Sequence, residues 1–202
     1  MTLAPDSPAA DAPAAAFEAL LAPVLDGAYA TALRLTGSRA DAEDLVQEAA
    51  LHAFRGFRTF QVGTNFRAWF YRVMVNAFYA GKRRRRPETS LDEMEEAPPV
   101  FLFQQAQRHG LLADGGDPAR AVLDRIGVEA AERALAALPE EFRIVATLYF
   151  MDDLPYHDIA EALDVPVGTV RSRLHRGRKL LQRALWNEAV DAGIVAPAGE
   201  GA

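Results

Sequence analysis

Residues 155–181 read PYHDIAEALDVPVGTVRSRLHRGRKLL and contain two apolar stripes separated by a break. The break combines Asp164 with Pro166, and proline cannot donate a backbone hydrogen bond. Apolar side chains recur at helical spacing on both sides of it, at Ile159, Ala160, Leu163, Val170, Leu174 and Leu181. This pattern predicts a helix-turn-helix, in which two short helices are joined by a tight turn.

The second of these helices carries a polar and basic face, formed by Arg171, Ser172, His175, Arg176, Arg178 and Lys179. Arginine near the start of a recognition helix can bind guanine through two hydrogen bonds, and later basic residues contact phosphates. We therefore predict a surface for duplex DNA made by Thr169, Arg171, Ser172, His175, Arg176 and Lys179. The alternative is an ordinary amphipathic helix whose basic face is only solvated.

The net charge of the chain hides a strong segmentation. The 202 residues carry 22 Lys and Arg against 28 Asp and Glu, a formal charge of −6. Residues 15–86 nevertheless hold 11 basic and 6 acidic residues, residues 87–120 hold 2 and 7, and residues 121–190 hold 9 and 11. The chain thus combines a basic module, an acidic connector and a module with clustered arginine, so its acidic average does not exclude nucleic acid as a partner.

The chain has no cysteine, which excludes disulfides, thiolate metal ligands and cysteine nucleophiles. No stretch approaches the roughly 20 apolar residues of a membrane span, and the Ala- and Pro-rich start lacks a positively charged leader. The sequence therefore predicts a cytoplasmic protein without metal, cofactor or membrane insertion. Its ends, residues 1–14 and 191–202, are predicted to be disordered.

Residues 15–86 predict three helices. The first is expected to end at Gly37 and to turn seven residues toward a core: Phe17, Leu20, Leu21, Val24, Leu25, Tyr29 and Leu33. Ser38 followed by Asp41 is typical of the N-cap of a second helix, where the hydroxyl accepts a hydrogen bond from an early backbone amide. A connector then leads to Asn65, the predicted N-cap of a third helix.

Proline, glycine and acidic residues dominate residues 87–120, which predicts a flexible tether. Its apolar patch Val100–Phe103 either packs on a domain or contacts a partner. Residues 121–190 contain a second apolar set beneath the helix-turn-helix: Leu135, Leu138, Phe142, Val145 and Leu148. Since no strand alternation is long enough to trust, the predicted fold class is all-α, with two small helical domains joined by a flexible linker.

Residues 57–79 interleave aromatic side chains with basic and amide side chains. Four positions can share one buried stripe of the third helix: Phe66, Phe70, Val73 and Ala77. Rings beside cations suit unpaired bases, because stacking contributes about 1–3 kcal/mol per base. The predicted single-strand surface comprises Phe60, Asn65, Arg67, Trp69, Tyr71, Arg72 and Asn76. For most individual rings, the alternative is core packing.

Five consecutive positive charges follow at residues 82–86, where the C-terminal end of a helix favours cations. Lys82, Arg83 and Arg84 are predicted to contact phosphates, with a solvated tail as the alternative. The second helix has instead an acidic face that suits a protein partner, made by Asp41, Glu43, Asp44, Gln47 and Glu48. Its apolar face holds Leu45, Val46, Ala49 and Phe54. The alternative for the acidic residues is a merely exposed helix face.

Three motifs, in this order, resemble bacterial sigma factors of the extracytoplasmic-function (ECF) group: DAEDLVQEA at 41–49, GTNFRAWFYRVMVN at 63–76 and VPVGTVRSRLHRGRKLL at 165–181. The resemblance spans about residues 15–86 and 128–186. It implies that the first module, sigma region 2, docks on the clamp helices of the largest polymerase subunit through Asp44, Gln47 and Glu48. The same module would open the promoter minus-ten element and trap a flipped base.

By the same resemblance, the second module is sigma region 4, which reads the minus-thirty-five element and docks on the flap tip of core RNA polymerase. The linker would thread toward the active-site cleft and the RNA exit path. The motifs look most like the branch that answers oxidative or thiol stress, whose members are commonly held inactive by a zinc-binding anti-sigma factor. Two residues depart from the family: Pro155 replaces a capping serine, and Gly177 replaces a common alanine, which softens a helix.

Two other classes of protein remain as hypotheses. A stand-alone helix-turn-helix regulator explains residues 155–181 but leaves the aromatic segment and the acidic face without a role. An enzyme would have to use His157 with Asp152, Asp153 and Asp158, whose presence at a helix junction is explained adequately by capping and solvation.

Overall fold

The computed structural model describes residues 8–85 and 117–193. The chain forms two compact units. Divided between whole helices, the first unit comprises residues 8–85 and the second residues 117–193. Within these ranges every regular element is a helix, and the predicted all-α class is confirmed. The apolar patch Val100–Phe103 and most of the predicted tether lie outside the described residues.

Four elements build the first unit in the order α1 (Pro8–Thr36), α2 (Arg39–Gly56), a 3-10 turn (Phe57–Thr59) and α3 (Phe66–Arg85). Gly37 has a φ of +69°, a conformation that glycine adopts readily and that lets the chain leave α1. Ser38 Oγ accepts a hydrogen bond from the amide of Asp41 at 3.4 Å. Asn65 Oδ1 accepts one from the amide of Ala68 at 3.2 Å. Both predicted N-caps are therefore confirmed.

The first helix begins at Pro8, inside the stretch 1–14 that was predicted to be a disordered tail. Proline fits the first turn of a helix, because its missing amide would have no partner there. Alanine fills most of residues 9–16 and has the highest helix propensity of all residues. The Ala-, Pro- and Asp-rich composition of this segment indicated disorder, whereas the propensity of its alanines favours helix.

The core face of α1 differs from the predicted one. Phe17 is buried as predicted, but Leu20 and Leu33 are 36% and 38% exposed. The residues fully buried in their place are small: Ala28, Thr31 and Ala32. Because small side chains allow two helices to approach closely, α1 turns this face toward α2.

One stretch of the described residues, Pro13–Thr36 of α1, is long and apolar enough to cross a membrane by length and composition, contrary to the prediction that none is. The same stretch supplies Phe17, Ala28 and Leu35 to the buried core of the first unit. Core helices of soluble proteins pass the same test. The contacts of α1 therefore identify it as a helix of this bundle.

The helices of the described second unit are α4 (Pro118–Ile126), α5 (Val128–Ala136), α6 (Glu140–Phe150), α7 (Tyr156–Leu163), α8 (Val167–Ala184) and α9 (Trp186–Asp191). The apolar residues predicted for its core are all buried: Leu135, Leu138, Phe142, Val145 and Leu148. Helices α7 and α8 are the predicted helix-turn-helix, which is confirmed. Helix α4 begins inside the stretch that was assigned to the tether.

The turn between α7 and α8 depends on Asp164, whose φ of +53° lies in the left-handed region. Aspartate tolerates this conformation better than most residues other than glycine. The amide of Val165 donates to the carbonyl of Ala160 at 3.0 Å, which closes the end of α7. The carbonyl of Pro166 then accepts from the amide of Thr169 at 2.8 Å, which opens α8. The left-handed Asp164 and these backbone hydrogen bonds together set the turn.

Candidate nucleic-acid interfaces

The outer face of α8 presents the residues predicted to bind duplex DNA. Five of them are exposed, namely Arg171, Ser172, His175, Arg176 and Lys179, and Thr169 is half-buried. The opposite face is buried at Val170, Leu174, Gly177 and Leu181. The hydroxyl of Ser172 donates to the carbonyl of Thr169 at 3.0 Å, so its remaining capacity is to accept. Cationic and small polar side chains thus form one continuous surface.

Two arginines of α8 contact neighbouring helices instead. Arg173 Nε lies 3.5 Å from Glu141 Oε2 of α6. Arg178 donates to Asp117, which precedes α4, so the assignment of Arg178 to the exposed basic face is wrong. Arg178 follows the buried Leu174 by four residues, and residues at this spacing share a helix face.

An aromatic cluster lies between α1, the 3-10 turn and α3, and consists of Phe17, Phe57, Phe60, Phe66 and Trp69. Its ring centroids lie 5.2 to 6.4 Å apart in contacting pairs. Trp69 is half-buried, whereas Phe60 is only 8% exposed. The ring of Phe60 therefore forms a wall behind Trp69, 5.3 Å away, which differs from the open contact surface expected from the sequence.

Tyr71 is fully buried, so the prediction that it lies outside the buried stripe of α3 is wrong. Helix α3 packs against both α1 and α2, which makes its buried face broader than one stripe. That face holds Phe70, Tyr71, Met74, Val75, Ala77 and Phe78. Gly27 of α1 leaves room for the Tyr71 hydroxyl, since an alanine Cβ there would come within 3.3 Å of it. Tyr71 is a core residue of the first unit.

The loop before α3 is the most exposed part of this surface. Every residue from 61 to 65 is exposed, and Val62 is 91% exposed. Gly63 has a φ of +95°, which turns the chain back toward α3. Val62 was not among the residues predicted from the sequence, although an isolated apolar residue beside a glycine in a polar connector was the available signal.

Three predicted residues lie on the outer side of α3 next to the cluster, namely Trp69, Arg72 and Asn76. Asn76 is exposed and the other two are half-buried. Arg67, also half-buried, lies instead at the start of the inner face, with its guanidinium carbon 5.5 Å from the centroid of the buried Tyr71 ring. Lys82 and Arg83 are exposed near the end of the helix, with Lys82 Nζ 5.8 Å from the centroid of the Phe78 ring. The side chain of Arg84 lies outside the described residues. Rings, amides and cations thus occur together along one side of α3.

Helix α2 exposes Asp44 and Gln47, and Glu48 is half-buried. The opposite side is buried at Ala42, Leu45, Ala49 and Ala53. Phe54, predicted for the apolar inner face, lies at its edge: its ring centroid is 5.3 Å from that of the buried Phe17, but the residue is 49% exposed. Leu51 is 50% exposed and follows Gln47 by four residues, which places both on one face. The acidic surface of α2 therefore continues into an apolar one.

The residues considered for an enzyme lie where α6 leads into α7. Asp152 and Asp158 are buried, and His157 Nε2 lies 2.6 Å from Asp158 Oδ1. The carbonyl of Pro155 accepts from the amide of Ile159 at 3.1 Å, which starts α7. Within the described residues, no group of three or more His, Cys, Asp or Glu side chains is placed to hold a metal ion.

Two parts of the chain match known families. Residues 20–88 match Sigma-70 region 2, and residues 129–181 match Sigma-70, region 4. The first match contains α2, α3 and most of the aromatic cluster, and the second contains the helix-turn-helix. A stand-alone regulator built on the helix-turn-helix leaves the first match unexplained.

The chain is also similar to individual ECF sigma factors. It is 32% identical over 161 residues to the ECF RNA polymerase sigma factor SigW of Bacillus subtilis (strain 168), covering 79% of this chain and 83% of SigW. It is 36% identical over 161 residues to SigE of Mycolicibacterium smegmatis, covering 78% of this chain and 56% of SigE. It is 33% identical over 144 residues to the sigma-E factor of Escherichia coli (strain K12), covering 70% of this chain and 72% of that factor.

Among solved structures, the chain is similar to the sigma factor RpoE of Bartonella quintana, determined in complex with the anti-sigma factor NepR. The TM-score is 0.60 at 26% identity, and the match covers 84% of this chain and 96% of that one. The family matches and the relatives indicate the same family as the motifs at 41–49, 63–76 and 165–181. This chain belongs to the ECF RNA polymerase sigma factors of the sigma-70 family, which direct transcription initiation.

Proposed function

We propose that this sigma factor divides promoter reading between its two units and docks on core RNA polymerase through α2. The second unit reads the minus-thirty-five element as duplex DNA, and the first unit opens the minus-ten element and holds an unpaired base. The observation that carries the proposal is the separation of residue types. The exposed face of α8 is cationic, whereas α3 and the preceding loop combine a half-buried tryptophan with amides and cations.

For the minus-thirty-five element, Arg171 and Ser172 lie in the first part of α8 and are assigned to base edges and nearby phosphates. Arg176 and Lys179 follow on the same side of the helix and are assigned mainly to phosphates. Guanidinium and ammonium groups that bind phosphates displace counterions from the DNA, which makes such binding strongly salt-dependent. This assignment is supported by the burial of Arg173 and Arg178 against other helices, since the basic residues that remain exposed share one face.

For the minus-ten element, the proposed base site is formed by Trp69 and the exposed loop 61–65. Phe60 supports the indole from behind, and Asn76 and Arg72 lie farther along α3. Extracting a base from the duplex costs a few kcal/mol, and stacking and hydrogen bonds to the extracted base offset that cost. Lys82, Arg83 and Arg84 are proposed to follow the phosphate backbone.

The docking surface for the clamp helices of the largest polymerase subunit is proposed to be Asp44, Gln47 and Glu48. Interfaces of this kind combine an apolar centre with a polar rim, and the exposed Leu51 and Phe54 supply apolar area beside the acidic residues. By family resemblance, the second unit is assigned to the flap tip and the linker to the path toward the active-site cleft. We place this activity in the cytoplasm, where core polymerase and promoter DNA are found.

An anti-sigma partner is proposed because the solved relative RpoE is bound by one. Because the motifs resemble the oxidative and thiol-stress branch, we assign the partner as a zinc-binding anti-sigma factor and the controlled genes as a stress regulon. Since the chain contains no cysteine, thiol sensing would belong to the partner. Purification of the tagged chain from its host, before and after zinc chelation, tests this. A partner released by the chelator supports the assignment, and a partner that stays bound contradicts the role of zinc.

The proposal is tested by run-off transcription on a library of genomic fragments with purified core RNA polymerase, with and without this protein, followed by sequencing of transcript starts. Starts that depend on the protein and share two spaced upstream motifs are expected. Arg171→Ala should reduce the number of protein-dependent starts by weakening recognition of the upstream motif. Trp69→Ala should reduce it by weakening recognition of the downstream motif. Tight, specific duplex binding without polymerase, combined with no dependent starts, would favour a stand-alone regulator.

A further inference from the structure

Arg178 joins α8 to three other parts of the second unit. Its Nε and Nη2 donate to Asp117 Oδ2 at 3.2 and 2.5 Å, and Nη2 lies 3.4 Å from the hydroxyl of Tyr156 in α7. The guanidinium carbon lies 5.4 and 5.7 Å from the ring centroids of Tyr149 and Phe150 in α6. These five residues form the Arg178 clasp. One side chain of the recognition helix thus contacts α6, α7 and the residue before α4.

Asp117 divides its two carboxylate oxygens between two tasks. Oδ1 accepts a hydrogen bond from the amide of Ala119 at 3.0 Å and caps α4, while Oδ2 accepts from Arg178. The side chains of Asp117 and Arg178 are only 13% and 24% exposed. Burial by itself lowers the pKa of Arg178, but the hydrogen bonds to Asp117 and Tyr156 raise it more, so the group stays charged. A largely buried and charged pair of this kind holds its geometry firmly.

A second arginine fastens α4 to the same place. Arg120 pairs with Asp153, and its Nη2 donates to the carbonyl of Tyr149 at 2.7 Å. Its guanidinium carbon lies 5.6 Å from the Tyr149 ring centroid, on which Arg178 also rests. Helix α4 is therefore held against the end of α6, and Asp117 is a fixed anchor for α8.

We propose that Asp117 and Arg178 are positioning residues for reading of the minus-thirty-five element. They tie α8 to α4 and α6 and so set the rotation of α8, which determines where Arg171 and Arg176 point. A two-bond contact between arginine and guanine tolerates little misalignment. The inference rests on the proposed reading of DNA by α8. Asp117 and α4 lie outside the region 4 match at residues 129–181, so the reading unit extends beyond that match.

The positioning role and a direct DNA contact by Arg178 predict changes of opposite sign for Asp117→Asn. If Arg178 bound a phosphate, the substitution would free its guanidinium and remove a negative charge, and binding would tighten. If the clasp positions α8, the same substitution weakens reading although the protein becomes more positive.

The test uses the full chain in holoenzyme with core polymerase and promoter fragments whose minus-thirty-five element is intact or scrambled. The measured quantity is the ratio of the two affinities. Asp117→Asn is expected to lower this ratio about tenfold, the loss of one well-aligned base contact. Asp124→Asn, the same change at an exposed position of α4, should leave it unchanged. An unchanged or increased ratio for Asp117→Asn would overturn the proposal.

Two further variants separate the possible causes. The double variant Asp117→Asn/Arg178→Gln should have an affinity ratio no lower than that of the more impaired single variant, because both substitutions act on one contact. Additive losses of the ratio would instead point to a direct contact by Arg178. A single variant that has lost helicity at the assay temperature would overturn positioning in favour of a folding role. If neither Arg171→Ala nor Asp117→Asn changes the affinity ratio, the proposed reading of DNA by α8 fails. If Arg171→Ala lowers the ratio and Asp117→Asn leaves it unchanged, only the positioning role of the clasp fails.

Discussion

The two units hold their proposed DNA-binding residues in place by different interactions. In the first unit, Trp69 rests on packed rings, and apolar packing has little directional preference. In the second unit, the rotation of α8 is set by charged hydrogen bonds and ion pairs of Arg178 and Arg173, which are directional. Stacking accepts any base face, whereas a base edge must be met at a defined angle. The type of packing thus matches the proposed task of each unit.

The largest effect should follow from removing a buried ring of the first unit. Phe70 is fully buried, and Phe70→Ala is expected to lower the free energy of unfolding by about 3–5 kcal/mol. Calorimetry of the full chain should show one destabilised transition, belonging to the first unit, and one unchanged transition. Equal destabilisation of both transitions would show that the units do not unfold separately and would break the comparison.

The neighbouring Trp69→Ala should affect promoter opening rather than stability, because the indole is half-buried. The loss of one stacked base is worth about 1–3 kcal/mol. Permanganate reactivity of the minus-ten element should fall, while footprinting of the closed complex stays close to that of the unchanged protein. Arg171→Ala should show the reverse pattern. Equal losses of opening and closed-complex formation in Trp69→Ala would contradict the division of tasks.

The acidic surface of α2 tests whether charge also directs assembly in the first unit. Glu48→Lys inverts a charge on the proposed docking face and should weaken binding to core polymerase about tenfold, or roughly 1.4 kcal/mol. Glu18→Lys, at an exposed position of α1, is the matched control. Titration of labelled protein with core polymerase at two salt concentrations measures both. Unchanged binding by Glu48→Lys would remove α2 from the docking surface.

The smallest effect is expected at Gly177, which was predicted to soften α8. Gly177 is buried, and an alanine Cβ would lie 3.7 Å from Phe142 Cβ and 3.9 Å from Leu138 Cδ2, which is ordinary contact. Gly177→Ala should therefore stabilise the second unit by about 0.5–1 kcal/mol, mainly through helix propensity. A higher unfolding temperature with an unchanged minus-thirty-five affinity ratio is expected. A lower unfolding temperature would mean that this face of α8 has no room for a methyl group.

Local features were predicted well from the sequence. The caps at Ser38 and Asn65, the turn at Asp164 and the apolar stripes of α7 and α8 depend on residues within a few positions of one another, so spacing alone indicates them. The motifs at 41–49, 63–76 and 165–181 identified the family for the same reason, because each is a continuous run of side chains on one element.

Predictions failed where a side chain meets an element distant in the chain. Tyr71 was placed at a partly exposed position of a two-faced helix, but α3 is covered by both α1 and α2, so its inner face is broad. Leu20 and Leu33 were expected inside, yet close approach of α1 and α2 favours small residues there. Helical spacing indicates which residues share a face but not how many neighbours cover it.

By itself, the sequence determined the all-helical class, the helix-turn-helix, the basic first module with its acidic connector, and the sigma-factor family. These properties are local, since they follow from propensity, capping and periodicity along one element. Only the tertiary structure decided that Arg178 binds Asp117, 61 residues away, that Phe60 supports Trp69, and that Phe54 is exposed. An arginine in a basic helix is chemically equal to its neighbours until packing brings a carboxylate to one of them, and that pairing is a property of the fold.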